Sequence, residues 1–175
     1  MKRARVHAAG CCGIAALVCM GIAGTAGVRI NTSPSMPRGV WWIAPASDVR
    51  RGDAVVVCAP PDAARLGRER GYLGVGGCSN GSEPLLKIVA AGAGDAVAVG
   101  AFGLAVNGEV LADTTPLPQD MAGRDLRAWP PGIYTVQTGT AWVTTPRANS
   151  WDSRYWGPVR LADVLGVARP VAVWP

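Results

Sequence analysis

Residues 8–28 form one long uncharged run, largely apolar, that nothing later in the chain repeats. After it the apolar positions come in short groups stopped by Gly, Pro or Asp: VWWI (40–43), AVVVC (54–58), LLKIVAA (85–91), AVAV (96–99) and VAVW (171–174). Runs of that length, rich in β-branched and aromatic residues, predict strands. LAVNGEVL (104–111) sets Asn107-Gly108 between two apolar pairs, which predicts a hairpin closed by a type I′ turn. YTVQTGTAWVTT (134–145) predicts a second hairpin turning at Thr138-Gly139. Helix is scarce, with LADVL (161–165) the best candidate for a turn or two. The chain beyond residue 30 is therefore expected to be mainly β. Two excursions interrupt it, a Pro-, Gly- and Arg-rich stretch at 59–84 and an aperiodic one at 112–132.

As a helix, the apolar run would span about 31 Å, close to the roughly 30 Å of a bilayer core. Lys2, Arg3 and Arg5 precede it, so residues 1–7 are expected to stay cytoplasmic, 8–28 to form a single transmembrane anchor, and 30–175 to emerge on the far side. The small residues of GIAGTAG keep a cleaved signal peptide as the alternative. Cys11, Cys12 and Cys19 would then be small apolar packers within the membrane.

The chain carries 17 basic and 12 acidic side chains. Four of the basic ones (Lys2, Arg3, Arg5, Arg29) flank the apolar run, leaving 13 against 12 beyond it. That near balance offers no basic patch for nucleic acid. Cys58 and Cys78 form an even pair in a compartment expected to be oxidising, which predicts a disulfide at the base of the 59–84 excursion. The one histidine, His7, precedes the apolar run, so the remainder has no imidazole for a zinc site, and neither metal nor cofactor is expected.

Chemistry enters through lysine. The chain has 15 arginines and two lysines, and beyond the N-terminal tail Lys87 stands alone, inside LLKIVAA. A desolvated lysine can lose its proton near neutral pH, which an arginine cannot, and a neutral amine is a general base. The alternative is a snorkelling lysine on an edge strand. Without a histidine, such a base would activate a hydroxyl, giving a Ser–Lys dyad. In INTSPSMPRGVWW (30–42), Pro34 and Pro37 restrict the backbone on both sides of Ser35 and would present it rigidly, a few residues from the membrane. Of the neighbouring Trp41 and Trp42, strand alternation expects one in the core, and either could meet the membrane interface.

SPSMPRG (33–39), RGDAVVV (51–57), LLKIVAAGAGD (85–95) and NSWDSRYWGPV (149–159) resemble, in order and spacing, the boxes of the type I signal peptidases, and more closely those of the small conjugative-transfer peptidases of the TraF type. The resemblance covers residues 8–160 and implies a signal-peptidase-like β-fold behind one N-terminal transmembrane helix in the bacterial inner membrane, with the catalytic domain periplasmic. It implies Ser35 as nucleophile, Lys87 as general base, Ser33 as contributor to the oxyanion hole and Ser150 as the hydroxyl that orients the lysine. Asp152 and Arg154 are implied as a supporting ion pair. Substrate would lie extended along Asn31, Pro34, Met36, Leu85 and Leu86, adding a strand and presenting small side chains to shallow pockets. Proline directly after Met36, and TPRA (145–148) where general enzymes carry Gly-Asp-Asn, favour the transfer branch.

The function expected is maturation of a pilin or other secreted precursor for conjugative transfer or type IV secretion, in contact with membrane lipid and possible mating-pair components. The acyl-enzyme is resolved by water or, in a cyclisation, by a peptide amine. A general signal peptidase and a non-catalytic exported scaffold are the alternatives.

Overall fold

The computed structural model describes residues 27–174. Most of the apolar run, with His7, Cys11, Cys12 and Cys19, lies outside the described residues, while its last residue, Val28, opens a strand. Among the described residues no helix is long and apolar enough to cross a membrane.

Short apolar runs give short strands: β1 (Val28–Asn31), β2 (Arg38–Ala44), β3 (Ala54–Val57), β4 (Leu85–Ala91), β5 (Ala96–Gly100), β6 (Gly103–Val106), β7 (Glu109–Val110), β8 (Gly132–Thr135), β9 (Thr140–Thr144), β10 (Val159–Arg160) and the long β11 (Val164–Trp174). Among the described residues two helices join them, α1 (Pro61–Glu69) and α2 (Ser153–Trp156). A seven-stranded sheet runs β1-β2-β11-β3-β4-β9-β10, and a four-stranded one β7-β6-β5-β8.

The expected 104–111 hairpin forms, with Asn107 at φ 51° and Gly108 at φ 87°, the left-handed pair its turn requires. The 134–145 segment is not a hairpin. A tight turn does close there, Thr140 N donating to Gln137 O at 3.0 Å, but β8 pairs with β5 and β9 with β4 and β10. Val136 and Tyr134 pack into the core of the smaller sheet while Ala141 and Val143 enter that of the larger, so the chain changes sheets across the turn. LADVL yields only a 3₁₀ turn at Leu161–Asp163, because Val164 is claimed by β11 and buried against the main core.

The 59–84 excursion contains α1, which the sequence did not announce. Proline stands at its first turn with Asp62 beside it, both favourable there, and its inward face is made only of Ala63, Ala64 and Gly67. Cys58 and Cys78 are bonded across the base of the excursion, their Cα atoms 5.7 Å apart. Closing a loop of that length contributes about 3 kcal/mol on chain-entropy grounds. Replacing both cysteines with alanine should therefore lower the unfolding free energy by about 3 kcal/mol in urea titration. An unchanged midpoint would show that the bond constrains nothing.

Strand alternation sorts the tryptophans of β2. Trp41 is buried with Met36 and Ala168, and Trp42 points to the opposite, exposed face.

Candidate active site

The loop between β1 and β2 carries the hydroxyls. Its entry residue, Asn31, is the last to pair with β2. The Asn31 side-chain amide donates to the carbonyls of Ser33, Met36 and Pro37, each at 3.0 Å, and its Oδ1 accepts from Ser33 N at 3.1 Å. One side chain thus clasps both limbs of a six-residue turn. Trp41 Nε1 adds a bond to Pro37 O at 3.1 Å. Met36, expected to touch substrate, is instead 6% exposed and anchors the loop in the apolar cluster of Trp41 and Ala168. With Met36 turned inward, Ser33 and Ser35 face out. Their Oγ atoms lie 3.0 Å apart, and Ser35 N donates to Ser33 Oγ at 3.4 Å.

Lys87 lies on β4 and is 2% exposed, so its ammonium does not snorkel to solvent. On a strand, Leu85, Lys87 and Val89 share one face, here the face that meets the main core. Burial brings its pKa down from 10.5 to about 8; Asp152 pulls upward and Arg154 downward, with smaller effects. Its ammonium donates to Ser150 Oγ at 2.6 Å.

Behind it, Asp152 and Arg154 are both buried. Arg154 Nε reaches Asp152 Oδ1 at 2.8 Å and Nη2 reaches Oδ2 at 3.0 Å, a bidentate pair. Asp152 also caps α2 by accepting from Arg154 N. The guanidinium further donates to the carbonyls of Asp113, Ala148 and Thr145, tying the aperiodic 112–132 stretch to the strand ends.

Two cavities meet at this loop. One, of about 450 Å³, is lined by Ser33, Pro34, Ser35, Leu85, Lys87 and Ser150 among others. The other, about 1190 Å³, shares Ser33, Ser35, Tyr72 and Leu85 and adds Asn31 and Leu86. Nucleophile and base candidates therefore share one cavity, although Ser35 bonds to Ser33 and Lys87 to Ser150. Leu85, Leu86 and Lys87 ladder with β3 alone, because β9 pairs with β4 only from Ile88 onward. That leaves a three-residue free edge beside the serine loop, suited to an added strand. Among the described residues no three His, Cys, Asp or Glu side chains cluster as a metal site requires.

The outer wall was not anticipated from the sequence. Tyr72, Trp151 and Tyr155 follow one another along the first cavity, Tyr72 tilted against Trp151 at a centroid distance of 5.4 Å and Trp151 stacked on Tyr155 at 5.3 Å. Asp120 accepts from the Tyr72 hydroxyl and from Arg124 Nε at 2.7 Å, and hydrogen bonds hold its carboxyl well below the usual carboxylate range despite its burial. No spacing in GYLGVGG or PLPQDMAGRD would have paired these residues, which meet only through the fold.

The serine loop and a buried lysine of lowered pKa thus line one cavity. The chain belongs to the signal peptidase family, peptidase S26, whose pattern spans residues 2–174. Within it, the chain is 38% identical to the plasmid transfer protein TraF of Escherichia coli, over 93% of this chain and 92% of that one. It is 38% identical to the probable conjugal transfer protein TraF of Sinorhizobium fredii over 85% and 78% of the two chains. A conjugal transfer protein TraF of Agrobacterium fabrum is 35% identical over 97% and 96%. A solved signal peptidase I of Enterococcus faecalis is 19% identical, covering 69% of this chain and 97% of its own, with a TM-score of 0.39.

Proposed function

We propose that this chain is a membrane-anchored serine endopeptidase that matures a pilin or other secreted precursor for conjugative transfer, with Ser35 as nucleophile and Lys87 as general base. The observation that carries it is Lys87 itself, buried, lowered to about 8 and sharing a cavity with Ser35. As substrate seats, Ser35 Oγ exchanges Ser33 for Lys87 Nζ and passes its proton to the amine while bonding the scissile carbonyl carbon. The freed Ser33 hydroxyl and Ser35 N–H then donate to the developing oxyanion, an arrangement worth about 3 kcal/mol. Collapse breaks the C–N bond, and Lys87 returns the proton to the leaving amine. Water, activated by the same lysine, or a peptide amine then releases the acyl group; the amine route yields a cyclic or joined product. Asp152 and Arg154 fix the wall behind the base without carrying protons.

The outer face of β1, β2 and β11 supports placement at a membrane. Ile30, Trp42 and Trp174 are exposed on one side of these strands, flanked by Arg38 and Arg169, an interfacial composition. On this reading the anchor lies in the bacterial inner membrane and the peptidase domain in the periplasm.

Purified full-length protein should convert the pilin-like precursor of its own genetic system, read by intact mass, and leave unrelated preproteins largely uncut. Equal processing of the whole panel would favour a general signal peptidase. No processing of any would favour a binding scaffold.

The base also sets a pH profile. Only neutral Lys87 accepts the serine proton, so kcat/KM should rise about tenfold per pH unit below pH 8 and level off above it. A profile flat from pH 6 to 9 would contradict the assignment. Asn31, whose amide is spent on the loop, acts as a positioning residue. Asn31→Ala should lower kcat by about 10²-fold with KM little changed, since small misplacements of a nucleophile are that costly. Wild-type turnover in that variant would show that the prolines and Met36 suffice.

A further inference from the structure

The two cavities that meet at Ser35 differ in what they offer. Only the smaller is lined by Lys87. The larger is bordered by apolar side chains of β2 and β4, among them Ile43 and Leu86, with Arg29 and Glu83 also on its lining. If Lys87 returns its proton to the leaving amine, that amine must depart on the Lys87 side. The acyl half of the substrate then occupies the larger cavity, and the segment after the scissile bond the smaller.

From this we infer that the smaller cavity is a subsite for the peptide segment following the scissile bond, built to take an acidic side chain there. The inference rests on the Ser35/Lys87 reading and assigns it a polarity and a preference. Tyr72 and Trp151 form an aromatic wall against which an extended segment can lie. At the rim, Arg70 and Arg124 stand against one lining carboxylate, Asp120. That carboxylate is already engaged by Tyr72 and Arg124, while the Asp125 carboxylate lies off the lining, accepts from Gln119 and reaches Arg70 only through space, Arg70 donating to the Asp125 backbone carbonyl at 2.8 Å. Setting Lys87 aside, the lining is left with one excess positive charge. Met121, on the same rim, is 91% exposed and provides a place to alter that charge without disturbing a packed residue.

The test uses the full chain in detergent and fluorogenic peptides that span the cut, identical except for Glu, Gln or Lys in the segment after it. Wild type should prefer Glu to Lys about fivefold in kcat/KM, the scale of a solvent-exposed charge pair. Met121→Lys should widen that ratio and Met121→Glu narrow it, while Glu or Lys placed before the cut should respond to neither. One ratio shared by all three proteins would overturn the subsite. Cleavage that persists in Ser35→Ala would overturn the Ser35/Lys87 reading as well, which separates the two failures.

Discussion

Lys87→Ala will lose roughly 10³-fold in precursor cleavage, the scale of a removed general base. Lys87→Arg will fare no better, because a guanidinium keeps its proton throughout the accessible pH range. Steady-state cleavage of a peptide spanning the cut measures both, and a variant within tenfold of wild type would remove lysine from the mechanism. The same residue makes a second, opposite statement about stability. Below pH 8 the folded state holds a buried ammonium whose pKa has fallen from 10.5, a penalty of about 3 kcal/mol. Lys87→Met relieves it but leaves the buried Ser150 hydroxyl without its partner, so the net gain at pH 7 should be about 1–2 kcal/mol. The unfolded chain binds the proton more tightly, so the wild-type penalty fades as pH rises from 8 to 10.5, and the advantage of Lys87→Met should fade with it. Urea titrations at pH 7 and 10 read this directly; an advantage that grew with pH would contradict a depressed pKa.

Arg154→Ala will cost about 3–5 kcal/mol, because it strands the buried Asp152 carboxylate and removes donors from three carbonyls. Asp152→Ala strands the guanidinium and should cost a similar amount, while the double variant should cost well under the sum. A urea double-mutant cycle at pH 7 measures the coupling, and single losses below about 1 kcal/mol would mean that water replaces the pair. The catalytic consequence is indirect. Arg154 and Asp152 set the ends of α2 and β9, and Ser150 and Lys87 lie against them, so the Arg154 variant should lose turnover along with stability.

What the sequence disclosed and what it hid divide along physical lines. Strands β2 to β6 were legible because each is a short apolar run bounded by Gly, Pro or Asp, and the Asn107-Gly108 turn because its chemistry is local. Lys87 was legible because it is the one lysine beyond the tail, in a chain that otherwise uses arginine. The failure at 134–145 is the reverse case: Thr138-Gly139 does turn the chain, but which strands pair across a turn depends on distant partners, here β4, β5 and β10. Helix α1 escaped notice because its buried face is Ala and Gly, which carry almost no periodic signal. Met36 was misassigned because beside a nucleophile it looks like a substrate contact, whereas the structure spends it on the core. Asn31 does line the larger cavity, and what the sequence hid is that its amide also holds the loop that presents Ser35. The Tyr72, Asp120 and Arg124 wall joins segments about fifty residues apart and leaves no local trace.

The most direct measurement is the mass of the Ser35 peptide, isolated after acid quench of the full-length protein turning over its precursor. The account predicts an added mass equal to the acyl half of the substrate, on Ser35 and on no other residue, and none of it in Ser35→Ala, which should also leave the precursor uncut. Precursor cleaved at the wild-type rate by Ser35→Ala, or an acyl group found on a different side chain, would contradict it.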